Sequence, residues 1–209
     1  MARRYLWPLL LLALLVSCSR SEDNVLFSDR FAMPKYDWGT ESNEAFDRGY
    51  QEGEYFIEVY EPNWLVWATP GERFRDVAIE ADARRVSGEI GGNFGLLCRY
   101  RRPADFYYFA ITDDGYYAIL RVEDGEPTVL TGSGFLPSPD IPIGATTYRI
   151  GAVCAGDRLH LRVNGQEIAA VVDVTFRRGD VGLAVGSGPE GPIRVHFDNF
   201  RVTRPEQGK

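Results

Sequence analysis

The stretch CRYRRPADFYYFAITDDGYYAIL, residues 98–120, carries five tyrosines, two phenylalanines and three arginines in 23 positions. Two turn signals interrupt it, Arg102-Pro103-Ala104-Asp105 and Asp114-Gly115, and the runs between them are aromatic and β-branched, so it reads as antiparallel strands joined by hairpins. If Asp114-Gly115 is a two-residue loop, Asp113 pairs with Tyr116, which sets Ile111 opposite Ala118 and Phe109 opposite Leu120. If Arg102–Asp105 is the loop before it, Arg101 pairs with Phe106 and Cys98 opposes Phe109. One face then holds Leu96, Cys98, Tyr100, Tyr107, Phe109, Ile111, Ala118, Leu120 and Val122, and is expected to be core. The other holds Leu97, Arg99, Arg101, Phe106, Tyr108, Ala110, Tyr117, Ile119 and Arg121. A three-residue loop at Asp113–Gly115 would slip the register by one and mix the two sets; the clean apolar set argues for two.

The same grammar runs through the rest of the chain. Turn signals recur at Asp124-Gly125, Gly156-Asp157, Asn164-Gly165 and Gly179-Asp180. Between them, Val77, Ile79, Ala81 and Ala83 alternate with Glu80, Asp82 and Arg84, and Leu159, Leu161 and Val163 alternate with Arg158, His160 and Arg162, the pattern of strands with one wet face. Apart from a turn or two of helix expected in residues 40–52, no window carries a capped helical stripe. A dozen short strands predict an all-β fold, a two-sheet antiparallel β-sandwich of jelly-roll type.

At the N-terminus, two arginines precede an apolar run, Leu6–Val16, too short to span ~30 Å of hydrocarbon as a helix. It ends in Leu15-Val16-Ser17-Cys18, which resembles the bacterial lipobox. Residues 1–17 are therefore expected to be a lipoprotein signal peptide, residues 18–24 a lipidated Cys18 with a short tether, residues 25–205 the sandwich, and residues 206–209 a polar tail. The expected location is the cell envelope, lipid-anchored and facing the extracytoplasmic side. Without residues 1–17, 21 basic side chains stand against 30 acidic ones, a net charge of −9. Such a chain is a poor nucleic-acid binder. Export also makes the two remaining cysteines, Cys98 and Cys154, both on apolar strand faces, candidates for a disulfide.

The segments LFSDRF, residues 77–122, the hairpin YRIGAVCAGDRLHLRVNGQEI and the closing GDVGLAVGSGPEGPIRVHFDNFRVTRP resemble the concanavalin A-like lectin/glucanase jelly roll. Within it they are most similar to bacterial domains of the 3-keto-disaccharide hydrolase type, domain of unknown function 1080. The resemblance implies the sandwich fold and, for the narrower family, glycoside cleavage. GGNFGLLCRY is like that family's Gly-Gly-Asn-Ser-Gly segment with Phe94 where a serine is usual, so no hydrolase residue is carried over.

Glycoside cleavage needs two carboxylates flanking one bond, and the nearest pattern, Glu80-Ala81-Asp82, reads as a solvated strand face. His160 and His196 sit at polar alternation positions and are expected to be exposed. No cysteine–histidine spacing suggests zinc, and no catalytic residue or cofactor is assigned. A structural calcium between Asp29 and Asp198, in the opening and closing segments, is the weaker expectation beside backbone hydrogen bonding by both acids. At Phe197-Asp198-Asn199-Phe200 the alternation changes phase, which implies a bulge.

The remaining candidate is the second face, Arg99, Arg101, Phe106, Tyr108, Tyr117 and Arg121, whose aromatic rings and guanidinium groups suit sugar C–H faces and hydroxyls or carboxylates; at most one of Trp64 and Trp67 can join it. The sequence thus favours a lipid-anchored, non-catalytic binder of glycan or another extracellular ligand. A keto-disaccharide-type hydrolase and a structural envelope scaffold are the alternatives.

Overall fold

In the computed structural model, which describes residues 24–88 and 91–206, every regular element is a strand. The first six are β1 (Val25–Asp29), β2 (Glu41–Ser42), β3 (Phe46–Gln51), β4 (Glu54–Val59), β5 (Leu65–Ala68) and β6 (Arg73–Phe74). The middle of the chain supplies β7 (Val77–Gly88), β8 (Asn93–Arg102), β9 (Asp105–Ile111), β10 (Tyr116–Glu123), β11 (Glu126–Val129) and β12 (Leu136–Pro137). The last five are β13 (Tyr148–Ala155), β14 (Arg158–Val163), β15 (Gln166–Val172), β16 (Gly179–Gly186) and β17 (Ile193–Thr203). Residues 40–52, where a turn of helix was expected, lie mostly in β2 and β3. The expected signal peptide, residues 1–17, and Cys18 lie outside the described residues.

Two antiparallel sheets face each other, as the alternation predicted. One runs β15-β14-β13-β7-β17-β4-β3-β2 with β1 on β17; the other runs β11-β10-β9-β8-β16-β5 with β12 on β10 and β6 on β16. The first is called here the charged sheet and the second the aromatic sheet, after their outer faces. Between them lies one continuous core that includes Ile57, Ile79, Leu96, Tyr107, Phe109, Ile150, Leu161, Leu183 and Phe197.

The chain begins and ends side by side. Val25 pairs with Thr203 and Asp29 with Phe200. The expected bulge is present: the β17–β7 register shifts between Asp198 and Arg201, Asn199 takes a φ of 53°, and Phe197 and Phe200 both stay buried.

Within the aromatic sheet the register differs from the expectation at two places. The β9–β10 loop has three residues, Asp113–Gly115, closed by Thr112 N–H donating to Tyr116 O at 2.9 Å, with Gly115 at a φ of 95°. Ala118 therefore pairs with Ala110 and Leu120 with Tyr108, and every β10 side chain is turned to the face opposite the one expected. The second difference is in β8. Arg102 pairs with Asp105 at the turn, but Cys98 pairs with Tyr107, so Arg99, Tyr100 and Arg101 together oppose Phe106 alone. The bulge centres on Arg99, whose φ is 54°. Cys98 and Arg99 both turn inward, and Tyr100 turns out.

Cys98 of β8 and Cys154 of β13 form the expected disulfide, joining the two sheets through the core. The bridged positions are 56 residues apart, so the bond removes a large loop's worth of unfolded-state freedom, about 4 kcal/mol. Replacing both cysteines by alanine is expected to lower the unfolding free energy by about 2–5 kcal/mol in denaturant titration. A loss within error of zero would show that the bridge carries no stability.

Candidate functional site

The six side chains expected on one face are divided by the two register changes. Phe106 and Tyr108 point outward from the aromatic sheet. Arg99, Tyr117 and Arg121 point to the inner side, and Arg101 is exposed at the sheet end with its guanidinium 5.7 Å from the Phe176 ring centroid. The inner three have structural partners. Arg99 is only 1% exposed, and its guanidinium donates to Phe176 O at 2.8 Å, Gly156 O at 2.9 Å, Arg75 O at 3.3 Å and Asp76 Oδ1 at 3.3 Å. Burial pulls its pKa down from the ordinary value, against the pull of Tyr107 and Asp76.

Beside it, Asp173 accepts from Tyr107 Oη at 2.5 Å and from Arg121 at 2.7 Å, and Thr175 N–H donates to it at 2.9 Å. These bonds clasp the β15–β16 connection across the end of the sandwich. Tyr117 packs on the core from the same side of β10.

What remains on the outer face of the aromatic sheet is an apolar floor rather than a basic patch. Leu97, Phe106, Tyr108, Ala110 and Ala184 form it, with Leu65, Trp67, Tyr100, Leu120, Val122 and Phe135 packed around them. The register arranges this floor in rows. Trp67, Ala184, Gly95, Ala110 and Ala118 lie side by side across five strands, a trough of small residues with one large wall. The next row toward the loops holds Leu65, Gly186 and Asn93, then Thr112, one residue past the Phe94–Ile111 pair, beside Tyr116.

Tyr108 starts in the row on the far side of the trough, yet its hydroxyl donates to Asn93 Oδ1 at 2.8 Å. Its ring must therefore lie along the sheet over Gly95 and Ala110, which is possible only because those positions are small. Burial holds the Tyr108 phenol well above the ordinary tyrosine value, so it stays a neutral donor. At the other end of the floor, Trp67, Tyr100 and Phe106 pack with ring centroids 5.7–6.2 Å apart.

Where the floor meets the loops there is a cavity of about 330 Å³, lined by Gly91, Asn93, Thr112, Asp114, Tyr116 and Phe135. Its polar groups are ordered by one another. Tyr116 N–H donates to Thr112 Oγ1 at 3.0 Å, and Thr112 Oγ1–H donates to Asp114 Oδ1. With Oδ1 taken by Tyr108, the Asn93 amide keeps its Nδ2 donors without a protein acceptor among the described residues. The arrangement offers a ring face, an amide, a hydroxyl and one carboxylate within a recess, the mixed lining of a small polar-ligand site. Asn93, Thr112, Asp114, Tyr116 and Phe135 were not singled out from sequence; the clue was the second apolar set on the aromatic strands and the glycines and alanines between them.

The outer face of the other sheet is an ion-pair lattice. Arg149 bridges Glu80 and Asp82, Arg194 pairs with Glu58, and Arg84 with Glu54, so Glu80 and Asp82 belong to a solvated face as expected. His160, at 3.0 Å from Glu167, is half-buried on β14, one strand in from the sheet edge. His196, expected to be exposed, is buried: Nδ1 faces Glu54 at 2.8 Å and Nε2 accepts from Arg194 Nε at 3.1 Å. Burial, opposed by Glu54, lowers its pKa, in keeping with a neutral ring that donates from Nδ1.

Asp29 accepts Phe31 N–H at 2.8 Å and Trp38 Nε1–H at 3.0 Å, one on each oxygen. Asp198 accepts the Asn199 N–H at 2.6 Å. Among the described residues no group of three or more His, Cys, Asp or Glu side chains surrounds either acid.

The fold is an all-β, two-sheet antiparallel sandwich of jelly-roll type with a cavity at one end of the aromatic sheet's outer face. The chain is similar to the carbohydrate-binding module CBM66 from Bacillus subtilis, at 17% identity over 70% of this chain and 86% of that one, with a TM-score of 0.59. It is also similar to a β-glucanase from Bacillus licheniformis, at 11% identity over 86% and 98% with a TM-score of 0.60. A third similar structure is the catalytic domain of a laminarinase from Thermotoga petrophila, at 14% identity over 88% and 98% with a TM-score of 0.58. No family model and no curated protein matches the chain. At these identities the likeness is one of fold.

The clasp carries a pH signature. Burial raises the Asp173 pKa, but the donors from Tyr107, Thr175 and Arg121 outweigh it and leave the group below the ordinary aspartate value. A carboxylate depressed on folding stabilises above its unfolded value and loses that contribution as pH falls through the folded one. Asp173→Asn is therefore expected to melt below wild type at neutral pH, with the difference closing below about pH 4 in thermal scans. A pH-independent difference would show that the charge is not what holds the connection.

Proposed function

We propose that this chain is an exported, lipid-anchored, non-catalytic glycan-binding domain, and that sugar sits on the outer face of the aromatic sheet. The observation that carries the reading is the cavity edged by Asn93, Thr112, Asp114, Tyr116 and Phe135 at the loop end of that face, whose floor of Leu97, Phe106, Tyr108, Ala110 and Ala184 is itself buried beneath flanking rings. Sugars present apolar C–H faces and a rim of hydroxyls, and a floor of rings with hydrogen-bonding groups at one end matches both. The partly exposed Tyr116 ring is free to stack, and Asn93 Nδ2 to donate. The similar structures, a carbohydrate-binding module and two glucanases among them, support a glycan ligand.

Binding is favoured over cleavage by the acid count at the cavity. Hydrolysis of either stereochemical course needs two carboxyl groups about 5–9.5 Å apart across the glycosidic bond. Among the described residues the cavity lining contributes one, Asp114, and it is engaged by Thr112.

Calorimetry against neutral β-glucan, fructan and xylan oligosaccharides tests the reading. Tyr116→Ala is expected to weaken binding about tenfold through loss of the stacking ring, whereas Glu54→Gln on the charged sheet leaves affinity unchanged. Absence of heat with every oligosaccharide would overturn it, and release of shortened sugars during incubation would transfer the site to a hydrolase.

A further inference from the structure

The internal hydrogen bonds of the cavity leave two of its polar groups over. Thr112 Oγ1 is used in both directions, accepting from Tyr116 N–H at 3.0 Å and donating to Asp114 Oδ1. Asp114 Oδ2 has no donor, and Asn93 Nδ2 no acceptor, among the described residues. The half-buried Asp114 therefore presents one charged acceptor to whatever enters, and Asn93 presents neutral donors.

Charge around this cavity has one sign. Its lining contains Asp114 and no basic residue. The loops at that end of the aromatic sheet, residues 60–64, 112–115, 138–147 and 187–192, are tied together by backbone bonds such as Asn63 N–H to Gly188 O and Gly144 N–H to Asp113 O. They carry Glu61, Asp113, Asp114, Asp140 and Glu190, and no lysine or arginine. The basic side chain that reaches in from β7, Arg85, is held by Asp113 and by Gly88 O. The protein thus leaves the Asp114 carboxylate without a cation, in a negative local field. Two aromatic rings bound the same space: Tyr116 is 40% exposed and Phe135 half-buried, and the face of such a ring attracts an ammonium group. An acidic ligand would bring its anion against Asp114 with no guanidinium or ammonium in the lining to receive it.

We propose that the cavity selects an amino sugar, a hexose whose amine is unacetylated and protonated, over neutral and acidic sugars. The inference rests on the glycan-binding reading of the same cavity and names the class of sugar it takes. The ammonium donates to Asp114 Oδ2, and the neighbouring hydroxyl accepts from Asn93 Nδ2. A hexosamine carries those two groups on adjacent carbons, which supplies one charged donor and one acceptor to the two unused groups of the lining. A hydroxyl in place of the ammonium would still donate to Asp114, but a bond between two charged partners is the stronger one.

The test is calorimetry on the full-length protein in mildly acidic buffer, where the sugar amine is protonated. The ligands are a chitosan tetrasaccharide containing glucosamine only, its fully N-acetylated counterpart, cellotetraose and a galacturonate tetrasaccharide. The first three share ring and linkage and differ at one carbon of each ring. The chitosan chain is expected to bind about tenfold more tightly than cellotetraose, the acetylated chain no more tightly than cellotetraose, and the uronate not at all. Asp114→Asn keeps the acceptor for Thr112 and is expected to bring the chitosan and cellotetraose affinities to within about twofold of each other. Glu190→Gln, which removes an exposed loop acid outside the cavity lining, is expected to preserve the preference and so separates the site from general attraction of a polycation to an acidic chain. Equal affinity for chitosan and cellotetraose, tighter binding of the uronate, or a preference that survives Asp114→Asn would overturn the amino-sugar assignment and leave the glycan reading standing. Silence with the chitosan chain overturns the assignment too, and silence that extends to the neutral β-glucan, fructan and xylan panel overturns the glycan reading beneath it.

Discussion

Arg99 places a guanidinium inside the sandwich, and three chain segments, at Arg75–Asp76, Gly156 and Phe176, are bonded to it. To reach that position the backbone leaves the extended conformation for a left-handed one, which adds two residues to β8 relative to β9 and turns Tyr100 from the core to the outside. The bulge lies next to Cys98, so the covalent bond between sheets and the polar knot that closes their end are adjacent in the chain. Gly179 fits this arrangement through lack of a side chain, since a Cβ there would meet the Arg99 carbonyl carbon at 2.3 Å. Hydrogen bonds to a charged donor are individually stronger than neutral ones, and removing it would leave the buried Phe176 carbonyl unmatched.

This constraint determines what the outer face of the aromatic sheet becomes. With Arg99 and Arg121 committed to the inner side, that face loses its basic character and keeps its rings. Trp67, Tyr100 and Phe106 gather at one end, Tyr108 lies over a trough of glycine and alanine, and the polar groups collect at the far loops. The two sheets thus divide the work. The charged sheet spends its outer face on a solvated lattice of ion pairs, whose members contribute little individually, and the aromatic sheet packs a second small core on its outer face and opens at the loop-end cavity.

The architecture was readable because alternation in strands such as Val77–Ala83 and Leu159–Val163 has one wet face, which fixes its phase. The disulfide and the bulge at Asp198-Asn199 followed from the same phase reasoning. The aromatic strands gave no such anchor. Both of their faces are apolar, so shifting β10 by one residue still leaves a plausible core, and the choice between a two- and a three-residue loop at Asp113–Gly115 had nothing to decide it. The Arg99 bulge was hidden for a related reason: arginine at an alternate position reads as solvent-facing, and its acceptors at Arg75, Gly156 and Phe176 are brought near only by the tertiary fold. Asn93, Thr112 and Asp114 are ordinary turn and strand-end residues in sequence, and become a cavity only once the Phe135 segment folds beside them.

The central claim is that ligand occupies the outer face of the aromatic sheet. Backbone and side-chain NMR shifts recorded while a bound oligosaccharide is titrated test it most directly. The account expects perturbations confined to Asn93, Tyr108, Thr112, Tyr116 and the adjoining trough. Shifts centred instead on Glu54, Arg149 and His196 of the charged sheet would contradict it.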